Sequence, residues 1–306
     1  MAMRVLYVNP LALGGNPAID AIAYGLQHTL RAAEIELRVL FADFTAPDYR
    51  GQYEDAIEAG IADRVDAIAI YVITPSAFQE PVAKARAAGI PVFTFVRPYY
   101  PVNASVIYPN FNQGVLMAEH LVPLLAAGSG VAVIGGPHSV DDTEEVAGLM
   151  FALNDSHCQL LNDPTQPQYC NLTDVATGAR EPMLRLLEEF PRIHGLIPYN
   201  DETMHGALAC LEEVGRAKEM KIVCRNGSPV AVEAVREGKI VGTWDLDASG
   251  IGTTLGEVIV RHLTNREQYE EFLVMSPVGR MITLANLHTW RPWSERVQWL
   301  PLTIGL

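Results

Sequence analysis

Asp66-Ala67-Ile68-Ala69-Ile70-Tyr71 and, after one helical stretch, Ala88-Gly89-Ile90-Pro91-Val92-Phe93 are the segments on which the fold turns. The run 67–71 has no charged or amide side chain, as expected of a strand buried on both faces of a parallel sheet. Residues 78–88 read as a helix. Residues 91–96 read as the next strand, entered through the turn at Ala88-Gly89-Ile90-Pro91.

The same alternation extends in both directions. Upstream, 4–9 is a short apolar run, and Ile19, Ile22, Ala23, Leu26 and Leu30 mark one face of a helix over 18–33. A strand at 36–41 follows, then a helix marked by Tyr53, Ile57 and Ile61. Downstream the pattern restarts with a strand at 131–134, ending in Gly135-Gly136, and a helix over 141–154 with Asp141 placed to cap it. Helices at 182–189, 203–214, 229–236 and 251–263 alternate with strands at 193–197, 221–224 and 240–245. Two successive βα runs predict an α/β protein of two doubly wound, Rossmann-like parallel-sheet domains.

In such sheets ligands bind beyond the carboxyl ends of the strands. The polar residues there are Asn9, Thr74, Arg97, Asn110, His138, Asn200-Asp201, Arg225-Asn226 and Asp245. Carboxyl edges that face each other would pool these groups in one cleft.

Composition narrows the function. The 306 residues are 49% hydrophobic and 19% charged, enough for a large core, and the formal net charge is −14. That sign argues against a nucleic-acid partner, which calls for clustered Lys and Arg, and fits a well-solvated monomer. No apolar run approaches a spanning length. The start, Met1-Ala2-Met3-Arg4, runs straight into Val5-Leu6-Tyr7-Val8 without the pattern of a signal peptide. The reading is therefore a cytoplasmic protein, or a periplasmic one whose leader is absent from this sequence.

The eight histidines show no H-x-x-x-H or H-E-x-x-H spacing, so no metal site is expected. Gly135-Gly136-Pro137-His138-Ser139 has neither phosphate-loop nor nucleophile-elbow spacing. No strand is followed by G-x-G-x-x-G. No cofactor and no catalysis are expected.

Cys210 and Cys224 read as small core residues. Cys158 and Cys170 bracket a polar loop: either a disulfide closes it, as expected in an oxidising compartment, or both are free thiols.

Five ordered segments carry a family likeness: Asn16-Pro17-Ala18-Ile19; the pair 66–70 and 88–92; Asn110-Phe111-Asn112-Gln113-Gly114; Pro191 to Gly195 with Tyr199-Asn200-Asp201 and Gly206-Ala207-Leu208; and Asn226-Gly227-Ser228-Pro229 with Glu237-Gly238-Lys239 and Gly252. Together they resemble the ribose and sugar branch of type I periplasmic binding proteins, the solute-binding proteins of ABC transporters, whose fold is shared by LacI-type effector domains. The resemblance implies domains of 1–110 plus 247–277 and 111–246 plus 278–306, joined by a three-segment hinge.

It also implies ligand contacts at Asn16, Arg97, Asn200 and Asn226, where the family usually has an aspartate at the last position. Asn110 is equally placed for hinge support, and Asp245 lies beside Leu246, which aligns with the family's glutamine. Tyr71 can offer a ring, His138 a hydrogen bond in the cleft, and Glu145 stands where a second arginine is common.

The usual stacking aromatics are missing at Ala18, Ile19 and Thr173, and Val96 replaces an aspartate beside Arg97, so the ligand differs from a ribose held in the usual way. The resulting expectation is a receptor that closes on a sugar, polyol or sugar-derived acid and delivers it to an ABC permease. Alternatives are a sensor module for a membrane histidine kinase or a LacI-type repressor effector domain.

Overall fold

Strand–helix alternation builds two α/β units in a computed structural model that describes residues 3–305. The first unit starts with β1 (Arg4–Asn9), α1 (Pro17–Ala32), β2 (Glu36–Phe41) and α2 (Tyr49–Ala62). It continues with β3 (Ala67–Tyr71), α3 (Gln79–Ala87), β4 (Val92–Phe95) and β5 (Ala104–Ile107). The second unit holds α4 (Asn110–Leu121), β6 (Gly130–Ile134), α5 (Val140–Asn154), β7 (Gln159–Leu160) and α6 (Arg180–Glu189). After these come β8 (Gly195–Pro198), α7 (Asp201–Glu213), β9 (Lys221–Asn226), α8 (Pro229–Arg236) and β10 (Gly242–Asp245). The chain then returns to the first unit for α9 (Ala248–Asn265) and β11 (Phe272–Met275), and to the second for β12 (Arg280–Ile282). It finishes in the first with α10 (Trp293–Arg296) and β13 (Thr303–Ile304).

The first sheet runs β11-β5-β4-β3-β1-β2-β13, with its described strands paired in parallel. The second runs β12-β10-β9-β8-β6-β7, parallel except for β12 on β10. Strands β1, β3, β4 and β6 are buried along all or nearly all of their length, which is why they read as unbroken apolar runs. Strand β5 was not legible. It is four residues long, and its Ser105 hydroxyl is buried against Thr94 Oγ1 at 2.7 Å.

Each unit locks one helix pair with glycines. A Cβ on Gly25 of α1 would fall 2.0 Å from the Ser249 carbonyl oxygen of α9, and one on Gly252 would fall 2.0 Å from that of Ile22. Helices α4 and α5 repeat the device, with Gly114 facing the Glu145 carbonyl and Gly148 facing that of Phe111. Only glycine lets backbones approach this closely.

The expected boundaries need correction. Pro109 and Asn110 belong to the second unit, and the stretch assigned whole to that unit, 278–306, divides: Val278–Pro292 stays and Trp293 onward joins the first. The chain thus passes between units four times rather than three. The cause is packing. Strand β13 adds in parallel to the edge of β2, Trp299 stacks on Tyr24 with centroids 4.4 Å apart, and Trp293 is buried.

One helix start also differs from expectation. Ser139, not Asp141, caps α5 by accepting from Asp142 N, while Asn200 caps α7 by accepting from Thr203 N at 2.9 Å.

The disulfide alternative is corrected as well, since all four cysteines are free. Gly130 pairs with Gln159, so Cys158 lies level with the amino end of β6, whereas Cys170 bridges to Gly135 just past its carboxyl end. Six strand residues separate those levels, about 20 Å, far beyond the Cα separation of about 7 Å that a disulfide tolerates. No described helix is long and apolar enough to cross a membrane.

Candidate ligand-binding edges

In the first unit three sequence-chosen residues lie at or just beyond the sheet's carboxyl edge. Asn16 is buried, and its Oδ1 caps α1 by accepting from Ala18 N at 3.0 Å. Tyr71 closes β3 with its ring 5.9 Å from that of Phe95, and its carbonyl accepts from Tyr53 Oη at 2.9 Å. Arg97 leaves β4 after Val96, whose φ of +69° turns the chain out of the strand. Its side chain is exposed, with no hydrogen bond or ion pair among the described residues. The guanidinium is therefore presented to solvent, not buried.

Of the aromatics near this edge, Phe93, Phe95 and Tyr100 are core, and only Tyr99 is open, at 82% exposure.

In the second unit the carboxyl edge carries a buried polar network around Arg225, the penultimate residue of β9. Its Nε lies 2.6 Å from Glu145 Oε2, and its Nη1 donates to Asn110 Oδ1 at 3.0 Å. Its plane lies over the Tyr199 ring, 5.0 Å from the centroid. Asn110 turns its amide to Asp141 and Glu144 at 3.1 and 3.0 Å. Burial pushes the Glu145 carboxyl up to about 8, against the pull of Arg225. Glu145 is completely inaccessible, so the expectation that it touches ligand is corrected: its chemistry is spent on Arg225.

Alongside, Asn200 Nδ2 donates to Asp174 while its oxygen caps α7. Asn226, at φ +132°, donates to Glu202 Oε2 at 3.1 Å. Asp201 accepts from Ser228 N at 2.6 Å and Thr243 Oγ1 at 2.8 Å, which ties the α7 start to β10 and to the turn after β9. Burial raises the Asp201 carboxyl to about 6, and burial together with Asp201 and Asp174 raises Glu202 well above the usual range.

Asp245 is buried at the end of β10, opposite Asn226 in register. His138 stands apart: its ring is exposed, and only its backbone amide joins the network, donating to Asp142 at 3.0 Å. Asp142 also accepts from Gly136 N at 2.7 Å, so it fastens the loop between β6 and α5. The structure thus gathers Asn110, Glu145, Asn200, Asn226 and Asp245 at one edge, leaves His138 at its rim, and holds Asn16, Tyr71 and Arg97 on the first unit.

Sequence reasoning placed Arg225 among the polar strand ends without giving it a partner, and did not select Tyr199, Asp174 or Glu202 as site residues. One signal was available: a lone arginine ends the apolar run Ile222-Val223-Cys224, and Glu145 stands beside the apolar Val146 and Leu149 of α5. Two opposite charges on buried faces call for each other.

No described group of His, Cys, Asp and Glu has a metal-holding arrangement. What the edges offer is fixed amides, carboxyls and guanidinium groups, the equipment for reading hydroxyls rather than for breaking bonds.

Residues 10–267 match the family described as the periplasmic binding protein domain. The chain belongs to that family. Among its relatives, the ribose import binding protein RbsB of Bacillus subtilis strain 168 is 24% identical over 230 residues, 74% of this chain and 72% of the relative.

Solved structures of the same fold include an ABC transporter periplasmic solute-binding protein from Actinobacillus succinogenes 130z with bound D-allose. Its TM-score is 0.82 at 22% identity, over 95% of this chain and 100% of that one. Another is an ABC transporter solute-binding protein from Bacillus halodurans C-125 with bound myo-inositol. It has a TM-score of 0.80 at 21% identity, over 94% of this periplasmic binding protein and 97% of that one.

Proposed function

We propose that this periplasmic binding protein captures a neutral or charged sugar-like solute at the carboxyl edges of its sheets and delivers it to an ABC importer, without chemical change. The observation that carries the reading is the pre-organised set of buried amides and carboxyls at the end of β8, β9 and β10. Asn200 and Asn226 are each held by a carboxyl partner, so the cost of orienting polar groups is met before ligand arrives.

Arg97 is the contribution of the first unit. A fork of five donors with no acceptor among the described residues suits vicinal hydroxyls or a carboxylate. Asn16, Tyr71, Asn110, His138 and Asp245 complete the proposed contacts, and the protein acts in the periplasm as a monomer.

Relatives supply the ligand range: D-allose, myo-inositol and, in a solute-binding protein from Mycobacterium smegmatis, glycerol. A thermal-shift screen over pentoses, hexoses, inositols, small polyols and sugar acids, followed by calorimetry, tests the proposal. One saturable ligand per chain supports it; no shift with any of these classes overturns it.

A further inference from the structure

The second unit has a cavity of about 400 Å³ formed by the C-terminal halves of α4 and α5 and the turns that follow them. That volume is within the range of small-molecule pockets. Its walls include Val115, Val122, Ala152 and Phe151. Phe151 is 61% exposed and rests on Phe111, with centroids 5.8 Å apart.

Two of the polar side chains that line the cavity already have partners. Ser156 Oγ donates to Leu153 O at 2.8 Å and accepts from Cys158 N, and His157 Nε2 pairs with Leu125 O at 3.1 Å. The carboxylates of Glu119 and Asp155 also line it and make no hydrogen bond or ion pair among the described residues.

Three features favour positive charge there. No Lys or Arg is among the lining residues. Asp155 is the C-cap of α5, whose last turn has no basic residue. A carboxylate at the negative end of a helix is unfavourable unless a cation accompanies it. An exposed aromatic ring lining the same cavity as two carboxylates is a setting in which an alkylammonium ion is held by its charge and its methyl surface together.

We propose that this cavity is a second ligand site, specific for a small organic ammonium ion and separate from the sugar-binding edges. It rests on none of the residues assigned to sugar binding.

The test is calorimetry with choline against its uncharged isostere 3,3-dimethyl-1-butanol, at low salt. Choline should bind at least about tenfold more tightly than the isostere. Phe151→Ala and the pair Glu119→Gln with Asp155→Asn should each weaken choline by about tenfold. These are surface positions, so thermal unfolding and the affinity for sugar or polyol should stay at wild-type values. Absence of saturable choline binding, equal affinity for the isostere, or unchanged choline affinity in both variants overturns the proposal.

Discussion

Removing either partner of the Arg225–Glu145 pair should destabilise the protein by unequal amounts, and the inequality has a definite direction. In Glu145→Leu the guanidinium stays 3% exposed and cannot lose its charge. It keeps Asn110 and Tyr199 but loses the Glu145 carboxyl oxygen at 2.6 Å, and a buried charged donor left unmet costs about 3 kcal/mol or more.

In Arg225→Met the carboxyl left behind, already protonated up to about pH 8, is uncharged at neutral pH. The remaining cost is that of unmet hydrogen bonds, about 1–3 kcal/mol. The double variant removes both polar partners and should recover most of the loss.

The pH dependence follows from linkage. The folded chain keeps the Glu145 proton where the unfolded chain, at its ordinary 4.5, has lost it. Stability attributable to this group is therefore full below pH 4.5 and falls as pH rises toward 8. Without Arg225 the folded value rises further, so the gap between wild type and Arg225→Met should widen above pH 8 by up to about 1.4 kcal/mol per pH unit.

Equilibrium urea unfolding by far-UV circular dichroism at pH 7 and pH 9 measures all four proteins. Equal costs for the two single variants, or a gap that narrows with rising pH, would refute the reasoning.

Three further outcomes are expected. Arg97→Ala should weaken the true ligand about ten- to a hundredfold by calorimetry, with Arg97→Lys recovering only part because an ammonium lacks the planar fork; binding within threefold of wild type would remove Arg97 from the site. Alkylation under non-reducing denaturation should label four thiols by intact mass. In the folded protein Cys158 should react well before Cys170, whose thiol burial pushes up to about 12, and two labels lost to a bridge would contradict the geometry. Gly252→Ala should lower stability by about 1–3 kcal/mol through overpacking, since its Cβ meets the Ile22 carbonyl at 2.0 Å. An unchanged urea midpoint would show that α1 and α9 separate freely.

Much of the fold lies in short-range pattern, and that part was legible. The apolar run 67–71, the Asn16-Pro17 helix start and the Asn226-Gly227-Ser228-Pro229 turn each state their structure within a few residues, because strand burial, capping and turn geometry are local. The amides at strand ends were legible for the same reason: a βα run tells where its carboxyl edge is.

Tertiary structure decided everything that joins distant residues. Glu145 and Arg225 are 80 positions apart in sequence but 2.6 Å apart in space, and only the order β9-β8-β6 with α5 packed above it brings them together. Cys158 and Cys170, twelve apart in sequence, end at opposite ends of a strand because β7 runs parallel to β6. The last fourteen residues went to the first unit because β2 had an open edge for β13. The exposure of Arg97 depended on one backbone torsion at Val96. Register, strand order and edge pairing are properties of the assembled sheet, and no window along the chain contains them.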